Sequence, residues 1–217
     1  MPQHVDAFVA KMSAADISPA AIGCFREYYL RYRHGQAQTE LREEDIRPPP
    51  DERLVRFEDL PAAAPSELHD VVVVKLNGGL GTSMGLTRAK SLLDVKPGVT
   101  FLDVIARQAL ALEVRLLFMN SYNTRRDTLE HLARYPGLVR DALPLDFLQN
   151  QFPRIRLGGG APLDFGDERD WNPPGHGDLY LAIQEGGLLD RLVQLGCRYA
   201  FVANADNLGA VPDRRIP

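Results

Sequence analysis

Between Lys75 and Ser91 the chain reads Lys75-Leu76-Asn77-Gly78-Gly79-Leu80-Gly81-Thr82-Ser83-Met84-Gly85-Leu86-Thr87-Arg88-Ala89-Lys90-Ser91, straight after the apolar run Val71 to Val74. Four glycines, Gly78, Gly79, Gly81 and Gly85, put no Cβ in the way and can take positive φ, so backbone N–H groups can turn toward phosphate oxygens or a base edge. Lys90 can then meet the charge those amides leave uncovered. The arrangement suits a nucleoside triphosphate. Spacing excludes two well-known phosphate loops. A Walker A loop needs Gly-Lys followed directly by Ser or Thr, whereas Lys90 comes five residues after Gly85 with no glycine before it. The dinucleotide fingerprint spaces its glycines two then three, and Gly79, Gly81 and Gly85 are spaced two then four. As a bare pattern, a structural strand-to-loop turn is an equal alternative.

The elements that must position this loop are legible as runs and caps. Val71 to Leu76, Val114 to Met119 and Tyr199 to Val202 have the continuous apolar character of strands covered on both faces. Thr100 with Asp103 predicts a capping box opening a helix to about Leu112, and Thr124 with Asp127 predicts the same device for a helix ending near Tyr135-Pro136-Gly137. A third helical region, from about Asp178 to Leu195, is expected to break at Gly186-Gly187. Strands alternating with helices imply right-handed crossovers and a largely parallel sheet. Ligands in such sheets sit at the carboxyl ends of strands, where the glycine loop, the Asn120 segment and Asn204 to Asp206 all depart. Upstream, apolar residues at three- and four-residue intervals between Val5 and Tyr32 predict two short amphipathic helices, the second opened by Ser18-Pro19. Gly35 to Pro50 is polar, ends in three prolines and reads as an extended linker.

Composition narrows the function classes. A chain of 217 residues with 45% apolar content can bury one sizeable core in one or two domains. Its net charge of −4 argues against a nucleic-acid partner, which needs a concentrated basic face. Cys24 and Cys197 are the only cysteines, so neither a disulfide framework nor a metal-ligand spacing is expected, and a reducing cytoplasm is the natural setting. No apolar run approaches the roughly 20 residues that span a bilayer, and Met1 to Lys11 lacks the build of a secretory leader, so a soluble, unexported protein is expected.

The residues also match a more particular pattern. The loop resembles the signature of eukaryotic-type UDP-glucose pyrophosphorylases (UTP:glucose-1-phosphate uridylyltransferases), where Lys-Leu-Asn-Gly-Gly-Leu-Gly-Thr leads to a Gly-Pro-Lys-Ser ending. Further blocks follow in that family's order: Arg47 to Leu60, Thr100 to Asp103, Met119 to Thr124, Phe147 to Asn150, Trp171 to Asp178 and Asn204 to Ala210. The resemblance runs from about residue 25 to Asp213 and covers only roughly the first half of a typical member. It implies an α/β fold, a mostly parallel Rossmann-like nucleotidyltransferase sheet (GT-A-like) with flanking helices, incomplete at its C-terminal side. The implied division is an N-terminal helical segment and Pro-rich linker over residues 1–50, then the N-terminal part of the nucleotidyltransferase domain over 51–217. A second phosphate-binding lysine and a C-terminal β-helix belong to the family's other half.

The family reaction is attack by a phosphate oxygen of glucose 1-phosphate on the α-phosphorus of UTP, which needs no protein nucleophile. Holding two anions in line and neutralising developing charge is work for lysine and Mg²⁺. By resemblance, Leu76, Asn77, Gly78 and Gly79 meet the uracil and ribose, Lys90 binds the UTP phosphates as the catalytic cation, and Gln149 reads the uracil edge through its amide. Gly175 adds a backbone contact to the base, His176 contacts the sugar phosphate, Asn204 holds the sugar or ribose, and Asp206 ligates Mg²⁺. Each has a plainer reading: a loop histidine, a turn-capping Asp206, a satisfied Gln149 at a strand end, a solvated Lys90.

Departures from the pattern are also informative. Arg88-Ala89 replaces the usual Gly-Pro before Lys90, so Arg88 either supplements Lys90 or points to solvent. Ala203 and Ala205 flank Asn204 and Asp206 where the family carries Ser-Asn-x-Asp. The acidic stretch Asp164 to Asp170 would sit poorly beside phosphates unless it turns away. Ser83-Met84 after Thr82 favours the glucose enzyme over UDP-N-acetylhexosamine pyrophosphorylase, whose loop carries arginine there. The competing class is a catalytically inactive, truncated UTP-binding fragment, and weak or absent turnover is expected of residues 1–217 alone.

Overall fold

The structure is a computed structural model that describes residues 4–36, 41–61, 68–80, 85 and 88–216. Gly81, Thr82, Ser83 and Met84, part of the predicted loop, lie outside the described residues, as do Leu86 and Thr87. Two compact units are formed, one from residues 1–61 with 150–173 and one from 62–149 with 174–217.

In the first unit, helix α1 (Val5–Ala14) is followed by α2 (Pro19–Arg33), whose first turn is capped by the Ser18 hydroxyl accepting from the Ala21 amide at 3.0 Å. That is the expected use of Ser18-Pro19. Phe8, Met12, Phe25 and Tyr29 are buried between these helices, and the Phe25 ring meets Phe152 edge-on at 5.3 Å. Asp170 turns inward to Lys11 (2.8 Å) and to the Phe165 and Gly166 amides, which together hold its carboxyl below the usual range. Residues 41–61 are almost wholly exposed, with short 3₁₀ turns at Glu43–Asp45, Asp51–Arg53 and Phe57–Asp59.

The second unit carries the sheet. Strand β1 (Val71–Asn77) leads through the glycine loop to a hairpin of β2 (Asp94–Lys96) and β3 (Val99–Thr100). Helix α3 (Phe101–Leu112), β4 (Arg115–Asn120), α4 (Arg125–Leu132) and β5 (Asp146–Leu148) follow. After a small ribbon in the first unit, β6 (Phe152–Pro153) with β7 (Trp171–Asn172), the chain returns as α5 (Leu179–Glu185), α6 (Leu188–Gln194) and β8 (Tyr199–Asn204). The strand order is β5-β4-β1-β8, all parallel, with β1 central. The fold is therefore α/β, and helices cover both faces. Val71 and Val73 pack with Leu102, Ile105 and Leu132 on one face; Val72 and Val74 pack with Leu179, Leu188 and Leu192 on the other.

Several local expectations hold. Thr100 and Asp103 make a complete capping box, and the third helical region breaks at Gly186-Gly187 with Gly187 in the left-handed conformation. Two expectations fail. Thr124 makes no helix cap, because its hydroxyl donates to the Asn77 carbonyl at 2.7 Å instead. Strand β8 is apolar yet not covered on both faces: it lies at an edge of the sheet, and Tyr199, Ala200 and Val202 are exposed. No helix among the described residues is long and apolar enough to cross a membrane.

Candidate nucleotide site

The register of the sheet brings three asparagines to one edge. Asn77 ends β1 opposite Asn120, which ends β4, and Asn204 ends β8 opposite Leu76. The loops that leave these strands therefore start side by side at the carboxyl edge.

A buried polar network fixes the first of them. Asn77 Nδ2 donates to Asn120 Oδ1 (2.8 Å) and Thr128 Oγ1 (2.9 Å), and Asn120 Nδ2 donates to Asp146 (3.2 Å), which also accepts from Arg125 Nε at 2.9 Å. The Asn77 and Gly78 carbonyls accept from the Thr124 and Ser121 hydroxyls at 2.7 and 2.9 Å. Buried groups satisfied in this way hold one backbone path, since each broken bond would strand a buried partner. Both side-chain hydrogens of Asn77 are spent inward, so its donor capacity is used in bracing the loop. The sequence assigned Asn120, Ser121 and Thr128 no role at the site and Thr124 only a helix cap; the hydroxyl-rich run straight after a buried strand was the available signal.

Beyond the strand ends lies an open cavity of about 220 Å³, lined by Leu76, Asn77, Gly78, Gly79, Lys90, Ser91, His176, Asn204, Ala205 and Asp206. Lys90 reaches it because Leu80 and Ala89 form a bridge and the Lys90 amide donates to the Gly79 carbonyl at 3.4 Å, folding the loop back on itself. Arg88 is not among the lining residues; its largely exposed side chain lies 3.9 Å from Asp127. Gln149 and Gly175 also stand outside the lining set. Gly175, at φ 109° and ψ −174°, makes the turn that delivers His176, a conformation that favours glycine.

The two glycines of the Gly78-Gly79 pair have different reasons to be glycine. Neither takes positive φ; among the described loop residues only Gly85 does. A Cβ on Gly78 would lie 1.9 Å from Nε2 of buried Gln149, so that glycine makes room for a protein side chain. A Cβ on Gly79 would meet nothing within 4 Å, and Gly79 is exposed on the cavity wall. Among the described residues no neighbour and no backbone strain accounts for a bare backbone there, and the open side leaves room for close approach by a ligand.

The far side of the cavity is held from behind. Lys75, buried in β1, donates from Nζ to the Ala210 carbonyl (2.8 Å), and Gln108 of α3 donates to the Leu208 carbonyl (3.1 Å). Together with the Ala205 amide bonded to the Leu76 carbonyl (3.0 Å), they pin the turn that presents Asn204 and Asp206. Burial pushes the pKa of the Lys75 ammonium down. Neither tether was singled out in the sequence.

Chemically the cavity offers one lysine, one imidazole, one carboxylate, one serine hydroxyl, two carboxamides, of which that of Asn77 is turned inward, and backbone, an inventory suited to orienting phosphates. Among the described residues no three His, Cys, Asp or Glu side chains cluster as a metal site. Mg²⁺ bound to a nucleotide needs only one or two carboxylates beside the phosphates, so the exposed Asp206 fits that requirement.

The model of the family described as UTP–glucose-1-phosphate uridylyltransferase matches residues 22–217. The chain belongs to this uridylyltransferase family. The UTP–glucose-1-phosphate uridylyltransferase of Solanum tuberosum is 41% identical over 201 residues, 86% of this chain and 42% of that protein. A second, UTP–glucose-1-phosphate uridylyltransferase 2 of Dictyostelium discoideum, is 39% identical over 184 residues, 79% of this chain and 36% of that protein. In fold, the chain superposes on the UDP-glucose pyrophosphorylase of Leishmania major with a TM-score of 0.87 at 38% identity, covering 100% of this chain and 46% of that one. The chain thus spans somewhat less than half the length of these uridylyltransferases.

Proposed function

We propose that this chain is the UTP-binding part of a UTP:glucose-1-phosphate uridylyltransferase. In the reaction, a phosphate oxygen of glucose 1-phosphate bonds to the α-phosphorus of UTP, the α–β phosphoanhydride bond breaks, and pyrophosphate leaves. The observation that carries this reading is the cavity itself: a bare Gly79 backbone, Lys90, His176, Asn204 and Asp206 line one space at the carboxyl edge of a parallel sheet.

In this reading Leu76 to Gly79 receive the uracil and ribose, with Gln149 behind Gly78 as the base-reading amide and Gly175 as a backbone contact. Lys90 binds the triphosphate and offsets charge developing on the α-phosphorus. His176 orients the sugar phosphate, and Asn204 the sugar or ribose. Asp206 holds Mg²⁺, which supplies Lewis-acid neutralisation of the phosphate oxygens. The net charge of −4 and the presence of only two cysteines, Cys24 and Cys197, support a small-molecule enzyme of a reducing cytoplasm without a nucleic-acid partner.

Turnover tests the reading. Pyrophosphate release from UTP and glucose 1-phosphate should require Mg²⁺ in the protein carrying this chain and fall at least about 100-fold in Lys90→Ala, the loss typical of removing one charge-stabilising group. Equal turnover in the variant would refute the role given to Lys90.

A further inference from the structure

Ser91 follows Lys90 directly, lines the same cavity and is 1% exposed. Its Oγ is the one buried side-chain polar atom among the described residues that lacks a hydrogen-bond partner. The buried hydroxyls that brace the start of the loop are all partnered. Ser121 Oγ reaches the Gly78 carbonyl at 2.9 Å, Thr124 Oγ1 the Asn77 carbonyl at 2.7 Å and Thr128 Oγ1 the Thr124 carbonyl at 2.7 Å. An orphaned hydroxyl costs free energy that alanine at the same place would not, so its presence calls for an explanation.

The cavity supplies one. A hydroxyl can donate or accept, and the partner that enters beside Lys90 decides which. A cation and a bare backbone favour an anion, and phosphoryl oxygens only accept. We propose that Ser91 is a further phosphate-binding residue, its hydroxyl donating to an oxygen of the polyphosphate that Lys90 holds. Such a bond is charge-assisted and stronger than one between neutral groups. A rotation about χ1 between staggered wells is the only internal movement a serine needs to change partner. The unliganded protein carries the unsatisfied donor and the ligand relieves it, so binding gains a contact that folding does not use. The identity of the ligand as UTP rests on the uridylyltransferase reading; the donation to phosphate does not.

The test compares wild type with Ser91→Ala by calorimetry, titrating UTP, inorganic pyrophosphate and uridine, each with Mg²⁺, and by thermal unfolding without ligand. Ser91→Ala should bind UTP and pyrophosphate about 10- to 100-fold more weakly, bind uridine as wild type does, and unfold at the same or a higher temperature. A purely structural serine would lower the unfolding temperature and leave pyrophosphate affinity alone; either unchanged pyrophosphate affinity or a wild type that binds neither anion overturns the proposal. A wild type that binds pyrophosphate but not uridine contradicts the uridine site while the pyrophosphate titration still decides Ser91.

Discussion

The carboxamide of Gln149 occupies the space that a side chain on Gly78 would need, Nε2 falling 1.9 Å from the ideal Cβ position. One residue later, Gly79 faces open space. The pair separates a glycine packed against a protein side chain from one with an open side. Gly78→Ala should displace the Gln149 carboxamide, the far end of a flexible side chain, and destabilise the protein by about 1 kcal/mol. Gly79→Ala should change stability by no more than about 0.5 kcal/mol, yet weaken UTP binding about tenfold or more. Urea unfolding and nucleotide titration of both variants check this; a Gly79→Ala protein with wild-type affinity would mean that no ligand approaches there.

Behind the cavity, the tether from Lys75 to Ala210 should matter more for binding than for folding. Lys75→Met keeps the apolar stem and removes a buried ammonium whose desolvation offsets much of its bond, so stability should change by only about 1 kcal/mol. The turn bearing Asp206 loses its anchor, and Mg²⁺-dependent UTP affinity should fall several-fold. Unchanged affinity with Mg²⁺ would show that the turn is held without Lys75.

At the start of α3, burial alone would raise the pKa of Asp103, but the Thr100 amide, the Tyr135 and Thr100 hydroxyls and His131 hold it well below the usual carboxylate range. A group with a depressed folded pKa stabilises above its unfolded pKa of about 3.9 and loses that contribution as pH falls toward the folded value. Asp103→Asn should therefore cost about 1.5–3 kcal/mol at pH 7, and its deficit relative to wild type should shrink below about pH 4. Chemical unfolding across that range is the check, and a deficit constant down to pH 2 would contradict it.

Much of the fold was written locally. The strands expected over Val71 to Leu76, Val114 to Met119 and Tyr199 to Val202, the Thr100 box and the Gly186-Gly187 break each depend on neighbours a few residues away, and each forms in its expected place, although the cover expected on both faces of β8 does not. What escaped depends on distant partners. Thr124 and Asp127 have capping-box spacing, yet the hydroxyl serves a strand end 47 residues earlier in the chain. The short β5 has too few residues for a periodic signal and exists by pairing with β4. Residues 150–173 group with the N-terminal helices through contacts such as Phe25 with Phe152, which no local pattern announces. At the cavity, matching residue types pointed to Lys90, His176, Asn204 and Asp206. Of the two properties that glycine offers the loop, positive φ and the lack of a Cβ, Gly78 and Gly79 use only the second.

Calorimetric titration of UTP and ATP with Mg²⁺, beside Lys90→Ala, decides whether this cavity is a uridine triphosphate site. Saturable binding of UTP in preference to ATP, weakened at least about tenfold in the variant, a change of about 1.4 kcal/mol, is the predicted result. Equal affinity for the two nucleotides, or no effect of the substitution, would contradict it.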